Sequence, residues 1–148
     1  MIVLETSALI ELLTDQRSLR HSVAARLLAE EAMGEKPYAP ALIDAEAAKV
    51  LRRLSRKELP NERATAAIDE MAAMDMVRCT FEHLLPRVWE LRHNMYPFDA
   101  VYAALAEDLG APLVTSDMKF EPLAVSGIIR CSVETLTPSA DRVRQLDN

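Results

Sequence analysis

A chain of 148 residues, half of them hydrophobic, is long enough for one domain with its own core and too apolar for a disordered segment. Its formal net charge is -6, with 23 acidic residues against 17 basic ones, which excludes a general basic nucleic-acid coat protein. An enzyme that holds cations in an acidic pocket and touches a few phosphates stays within these bounds.

Residues 1–4 are apolar and partly β-branched, and they predict a buried strand. Thr6 or Ser7 then suits the cap of a helix through SALIELL. A second helix is expected over 19–33 with Ser18 as its cap. Pro37 and Pro40 bracket a short extended piece. Residues 41–57 carry Leu42, Ile43, Ala47, Val50, Leu51 and Leu54 as a helical apolar stripe. Pro60 fits the first turn of another helix running to about Ala73.

MVRCT, residues 76–80, predicts a strand. Leu84, Leu85, Val88, Trp89 and Leu91 recur at helical spacing. YPFDAVYAALAEDLG gives the clearest helix, with Phe98, Val101, Tyr102, Leu105 and Leu109 on one face and Gly110 at its end. PLVTS, residues 112–116, predicts a strand, MKFEPLAVSG a short helical connection, and IIRCS, residues 128–132, a last strand. The domain is expected over 1–137, with a polar C-terminal tail over 138–148. No export signal or membrane-length apolar run is present, so the cytoplasm is the expected location, no membrane is involved, and Cys79 and Cys131 are expected as buried thiols.

Strands separated by helices imply an α/β fold around a mainly parallel sheet. Ligands of such sheets gather beyond the C-terminal strand ends. Glu5 and Asp117 each stand at such an end and can share one rim. Asp99 follows Pro97 at a helix start, where free N–H groups favour an acid. Glu46 shares a helical face with Leu42 and Val50, apolar company for a carboxylate unless it is paired or holds a cation. On the residues alone, Asp99 and Asp117 also suit helix caps, Glu5 a strand end, and Glu46 the border of its stripe. Asp44, Glu11, Glu30, Glu31, Glu107 and Asp108 read as solvated faces, and His21, His83 and His93 as surface or structural residues.

Lys49, Arg52, Arg53, Arg56 and Lys57 crowd one helix, and Arg17 and Arg20 offer another basic contact. They suit either a solvated face or a track for RNA phosphates. The Rossmann GxGxxG and the P-loop GxxxxGK[ST] are both absent.

Three stretches, IVLETSALIELL, PALIDAEAAKVLRRL and YPFDAVYAALAEDLGAPLVTSD, resemble PIN-domain proteins, specifically toxin ribonucleases of the VapC type. The resemblance implies a single PIN-like domain with a parallel sheet flanked by helices. It implies a metal-dependent endoribonuclease in which Glu5, Glu46, Asp99 and Asp117 bind Mg²⁺ or Mn²⁺ and catalyse hydrolysis. Thr6, Thr115 and Ser116 resemble the supporting hydroxyl residues beside those acids. A homodimer and a small VapB-type antitoxin that blocks the groove are implied as partners. This sequence departs from the family at Glu5, where Asp is usual. The extra methylene moves the carboxylate by about 1.5 Å. The departure motivates an alternative, a catalytically impaired PIN-like protein that binds RNA or protein.

Overall fold

The structure, a computed structural model, describes residues 1–138. All of the polar tail expected over 138–148 except its first residue lies outside that range. Five strands form one all-parallel sheet in the order β3-β2-β1-β4-β5. They are β1 (Ile2–Leu4), β2 (Pro37–Pro40), β3 (Val77–Cys79), β4 (Leu113–Thr115) and β5 (Val133–Thr135). The helices are α1 (Thr6–Thr14), α2 (Arg20–Ala32), α3 (Ile43–Ser55), α4 (Asn61–Ala73), α5 (Leu85–Glu90), α6 (Pro97–Leu109) and α7 (Phe120–Val125). No described helix is long and apolar enough to cross a membrane.

Ile2, Val3 and Leu4 are fully buried, as a central strand covered on both faces requires. The chain leaves β1 toward β2 on one side, and β4 pairs with β1 on the other. The order therefore reverses between β1 and β4, and a crevice opens beyond their C-terminal ends. Helix α6 packs against β1, β2 and β4. Its residues Ala100 to Ala106 are all buried, and four of the seven are alanines that permit close approach.

The extended piece between the two prolines is β2, an internal strand. Its prolines sit at the first and last positions, where a missing N–H costs the ladder least. The last strand is Val133–Thr135, not the apolar run 128–132. That run serves the end of α7 instead. Gly127 adopts φ 75, its N–H donates to the Ala124 carbonyl, and the Ile128 N–H reaches back to Leu123. This is a Schellman stop, in which the residue after the glycine packs back onto the helix. Ile129 and Cys131 then enter the core before the sheet resumes.

Other expectations change where tertiary partners decide. Glu5 itself caps α1, accepting from the Ser7 N–H at 2.9 Å, so neither Thr6 nor Ser7 is the cap. Ser18 adopts φ 59 and does not cap α2, whose Arg20 N–H is taken by Asp15 Oδ1 at 3.0 Å. Glu11, Glu30 and Glu107 are not solvated. Glu11 is 2 % exposed and pairs with Arg17, while Glu30 is 1 % exposed and pairs with Arg26 and the N-terminal ammonium. Glu107 accepts two hydrogen bonds from Arg87 at 2.8 and 3.0 Å. In each case a cation supplies what burial removes. Leu85, Trp89 and Phe98, assigned to apolar faces by spacing, are exposed. Both cysteines are free thiols, Cys131 buried and Cys79 half-buried.

Candidate active site

Beyond the ends of β1 and β4 lies a groove of about 580 Å³. Glu5, Glu46, Asp99 and Asp117 all line it, with Thr6, Ser7, Arg17, Arg53 and Lys119. Four elements deliver the four acids. Glu5 joins β1 to α1, Glu46 stands in the first turn of α3, Asp99 in the first turn of α6, and Asp117 follows β4.

Glu5 is 6 % exposed, and one of its two oxygens is fully engaged. Oε2 accepts from the Ser7 N–H, the Ser7 hydroxyl and the Thr115 hydroxyl, the last at 2.8 Å. Oε1 accepts no hydrogen bond among the described residues. Burial pushes the Glu5 carboxyl above its ordinary value, the Ser7 and Thr115 hydrogen bonds oppose the rise, and the Asp117 charge adds to it. Ser7 Oγ also accepts from the Ser116 N–H at 3.0 Å, and Thr115 Oγ1 accepts from the Asp117 N–H at 3.0 Å. These hydroxyls tie the ends of β1 and β4 together.

Glu46 is held differently. Tyr102 Oη donates to its Oε1 at 2.7 Å, and Thr6 Oγ1 donates to the same oxygen at 3.3 Å. Thr6 Oγ1 and Tyr102 Oη lie 2.6 Å apart. Burial raises the Glu46 carboxyl, these two donors resist, and the Asp99 charge adds a further push upward. Burial raises the Tyr102 phenol as well, so it remains a donor.

Lys119 spans the other two acids. Its Nζ lies 2.9 Å from Asp99 Oδ2 and 3.1 Å from Asp117 Oδ2. Burial disfavours its charge, but the hydrogen bonds to both carboxylates outweigh that and raise its pKa. An ammonium thus sits where two acids converge. Among the described residues, no three acid, His or Cys side chains close into a metal cage by themselves. The donor set nonetheless fits Mg²⁺ or Mn²⁺, which take hard oxygen ligands and keep several waters. The Asp99–Asp117 pair already receives a cation, and Glu5 presents a free oxygen.

The hydroxyls expected to support the acids divide their tasks. Thr115 bonds Glu5 and Thr6 bonds Glu46, whereas Ser116 Oγ accepts from Arg17 at 2.6 Å. The basic residues divide too. Arg17, fixed by Glu11 and Ser116, and Arg53 line the acidic groove. Lys49 and Arg52 line the adjoining groove with Phe98, which shares Glu46 and Arg53. Arg56 is exposed and lines neither. Arg20 donates to the Leu12 and Leu13 carbonyls and faces a separate groove with Arg63 and Glu70. Spacing missed Ser7, Tyr102 and Lys119. Tyr102 lies three residues after Asp99 on the same helical face, and Lys119 two residues after Asp117, so both positions carried a signal.

A parallel α/β sheet with an acid-lined groove at its switch point defines a class of cation-holding sites suited to phosphate chemistry. The chain belongs to the PIN domain family, whose model matches residues 2–125. It is 32 % identical to ribonuclease VapC9 of Mycobacterium tuberculosis over 139 residues, 93 % of this chain and 99 % of that protein. In fold it is similar to VapBC2 from Rickettsia felis, solved bound to a DNA fragment from its promoter, with a TM-score of 0.65 and 18 % identity over 93 % of this chain and 100 % of that one. It is also similar to VapC20 of Mycobacterium tuberculosis, a sarcin-ricin loop cleaving toxin, with a TM-score of 0.60 and 19 % identity over 94 % and 98 % of the two chains.

Proposed function

We propose that this chain is a metal-dependent endoribonuclease toxin that hydrolyses RNA phosphodiester bonds. The observation that carries the reading is the groove at the β1–β4 switch point, where all four acids meet and an ammonium bridges two of them. The ribonuclease name of a relative at 32 % identity supports the same reading.

Glu5, Asp99 and Asp117 would hold Mg²⁺ or Mn²⁺, with Glu46 facing the water beside it. When bound, the cation neutralises charge at the phosphate and acidifies a water. Glu46, whose carboxyl is raised by burial, suits the acceptance of a proton from the attacking water. Tyr102 and Thr6 fix its Oε1, leaving Oε2 for that task. Arg17, Arg53 and Lys119 supply positive charge for the phosphates that flank the cut. Attack by water breaks the bond from phosphorus to the 3′-oxygen, leaving a 5′-phosphate and a 3′-hydroxyl.

The partners belong to this proposal: RNA as substrate, a small VapB-type antitoxin over the groove, a second copy of the chain, and a cytoplasmic setting. The binding-only alternative is not favoured, because Glu5 keeps one carboxylate oxygen without a hydrogen bond. The test is cleavage of a mixed RNA pool with Mg²⁺ or Mn²⁺ and again with chelator. Cleavage is expected with metal alone, lost in Asp99→Asn that remains folded by circular dichroism, and raised in Glu5→Asp. Cleavage that persists in chelator would sink the metal-carboxylate mechanism. A strictly monomeric mass by light scattering would count against the dimer.

A further inference from the structure

Beside the acidic groove is a second cavity, of about 450 Å³. The two share a wall, since Asp99 and Lys119 line both. We propose that this cavity, through Tyr96, receives one unpaired base of the RNA next to the phosphate being cut. The inference rests on the ribonuclease reading and names where its substrate is read.

The lining has the character of a nucleobase site. Met95, Pro97 and Leu123 supply apolar surface, and Asn94 carries an amide that can pair with a base edge. The volume lies within the range of small-ligand pockets, about 300–1,000 Å³. Tyr96 is 79 % exposed. Its side chain makes no hydrogen bond among the described residues. Its contribution to the fold is a backbone one, the carbonyl that accepts the Ala100 N–H at 2.9 Å at the start of α6. The ring is therefore free to stack on a ligand, and every base offers a face for stacking.

Charge selects the occupant. Lys119 is paired to Asp99, the one acid of the lining, and to Asp117, which leaves Arg92 as the lining cation with no carboxylate partner among the described residues. The Arg92 guanidinium lies 4.7 Å from the centre of the Trp89 ring, which props it at the rim. A cavity that offers Arg92 beside the apolar surface of Met95, Pro97 and Leu123 suits a phosphate-bearing base better than a basic peptide segment. Exposed apolar side chains also flank the site carboxylates in sequence. Phe98 precedes Asp99 and is 61 % exposed, and Met118 follows Asp117 and is 71 % exposed. A base can enter only if it is unpaired, so single strands and loops are the substrate class.

The experiment uses the full chain and a randomised single-stranded RNA pool containing 4-thiouridine. Photocrosslinks formed in chelator are mapped by mass spectrometry, and cut sites made with Mn²⁺ are sequenced. Crosslinks are expected within residues 92–99 and are expected to vanish when the pool is annealed to its complement. Tyr96→Ala is expected to weaken RNA binding about tenfold, as loss of one stacked base does. It is also expected to flatten the base preference beside the cut, whereas Tyr96→Phe and Tyr96→Trp restore both. Cleavage with crosslinks elsewhere and an unchanged preference in Tyr96→Ala would overturn the base site and leave the ribonuclease reading standing. RNA readouts unchanged in Tyr96→Ala, with release of a bound antitoxin, would assign the cavity to protein and also overturn it. A folded chain that neither crosslinks nor cuts any RNA would overturn both.

Discussion

Tyr102 and Glu46 meet from two different helices, with the phenol donating to Oε1 at 2.7 Å. The phenol is buried and stays protonated, so it donates throughout the working pH range. Tyr102→Phe keeps the ring in its fully buried place and removes only the donor. Loss of such an outer hydrogen bond is expected to lower activity or Mn²⁺ affinity by about 10–100-fold. Single-turnover cleavage and a Mn²⁺ titration measure it, and a fall below threefold in both would show that Thr6 alone suffices.

Lys119 sets one positive charge between the two negative charges of Asp99 and Asp117. Lys119→Met is expected to tighten Mn²⁺ binding roughly five- to tenfold, from the ~1 kcal/mol that two unit charges share near 4 Å in water. Calorimetric titration of the full chain reads this directly. In chelator, the variant should melt below the parent, because two acids then face each other uncompensated. Equal or weaker Mn²⁺ binding would mean that the ammonium does not compete for the pair.

The Glu5 carboxyl is raised by burial, which fixes the sign of its effect on stability. The unfolded chain ionises near 4.5, before the folded one, so folding loses stability as pH rises from there through the folded value. Gln at this position can accept the same Ser7 and Thr115 donors without a charge. Glu5→Gln is expected to melt higher than the parent at pH 7 and to lose that slope, while cleavage disappears. Thermal melts across pH 4–8 check it, and a lower melting temperature at pH 7 would contradict the burial argument.

Arg87 locks Glu107 and the Ile128 carbonyl at once. Burial would raise Glu107, but the Arg87 hydrogen bonds outweigh it and hold the carboxyl below its ordinary 4.5. The pair therefore stabilises the fold above that pH and ceases to do so as pH falls through the lowered folded value. Arg87→Met strands a largely buried charge and is expected to cost about 3 kcal/mol. Urea denaturation at pH 7 reads that loss, and the difference from the parent should shrink toward pH 3.

Much of this was legible from residues whose neighbours in sequence decide their conformation. The buried run ending at Glu5, the alanine-rich helix after Asp99 and the strand before Asp117 follow from local pattern. So does the α/β class. What escaped depended on partners distant in sequence. Glu11 and Glu30 look like surface acids until Arg17, Arg26 and the N-terminus are placed beside them. The run 128–132 looks like a strand until Gly127 turns the chain back onto α7. Tyr102 reads as core because it is core, and only its hydroxyl, aimed at Glu46, belongs to the groove. In Phe98 the periodicity marked the right face, since Val101, Tyr102 and Leu105 on it are buried, but Phe98 stands in the first turn, beyond the sheet that covers the rest.

Among the described residues, the two outermost strands, β3 and β5, are three residues long. Each carries a charged residue tied by an ion pair, Arg78 to Asp44 and Glu134 to Arg26. A short, charged edge gives a passing chain little ladder to extend. The sheet is thereby guarded against edge-to-edge aggregation while the molecule is concentrated. A partner that binds by adding a strand gains little at these edges, so helix surfaces and grooves are the better places for one to dock.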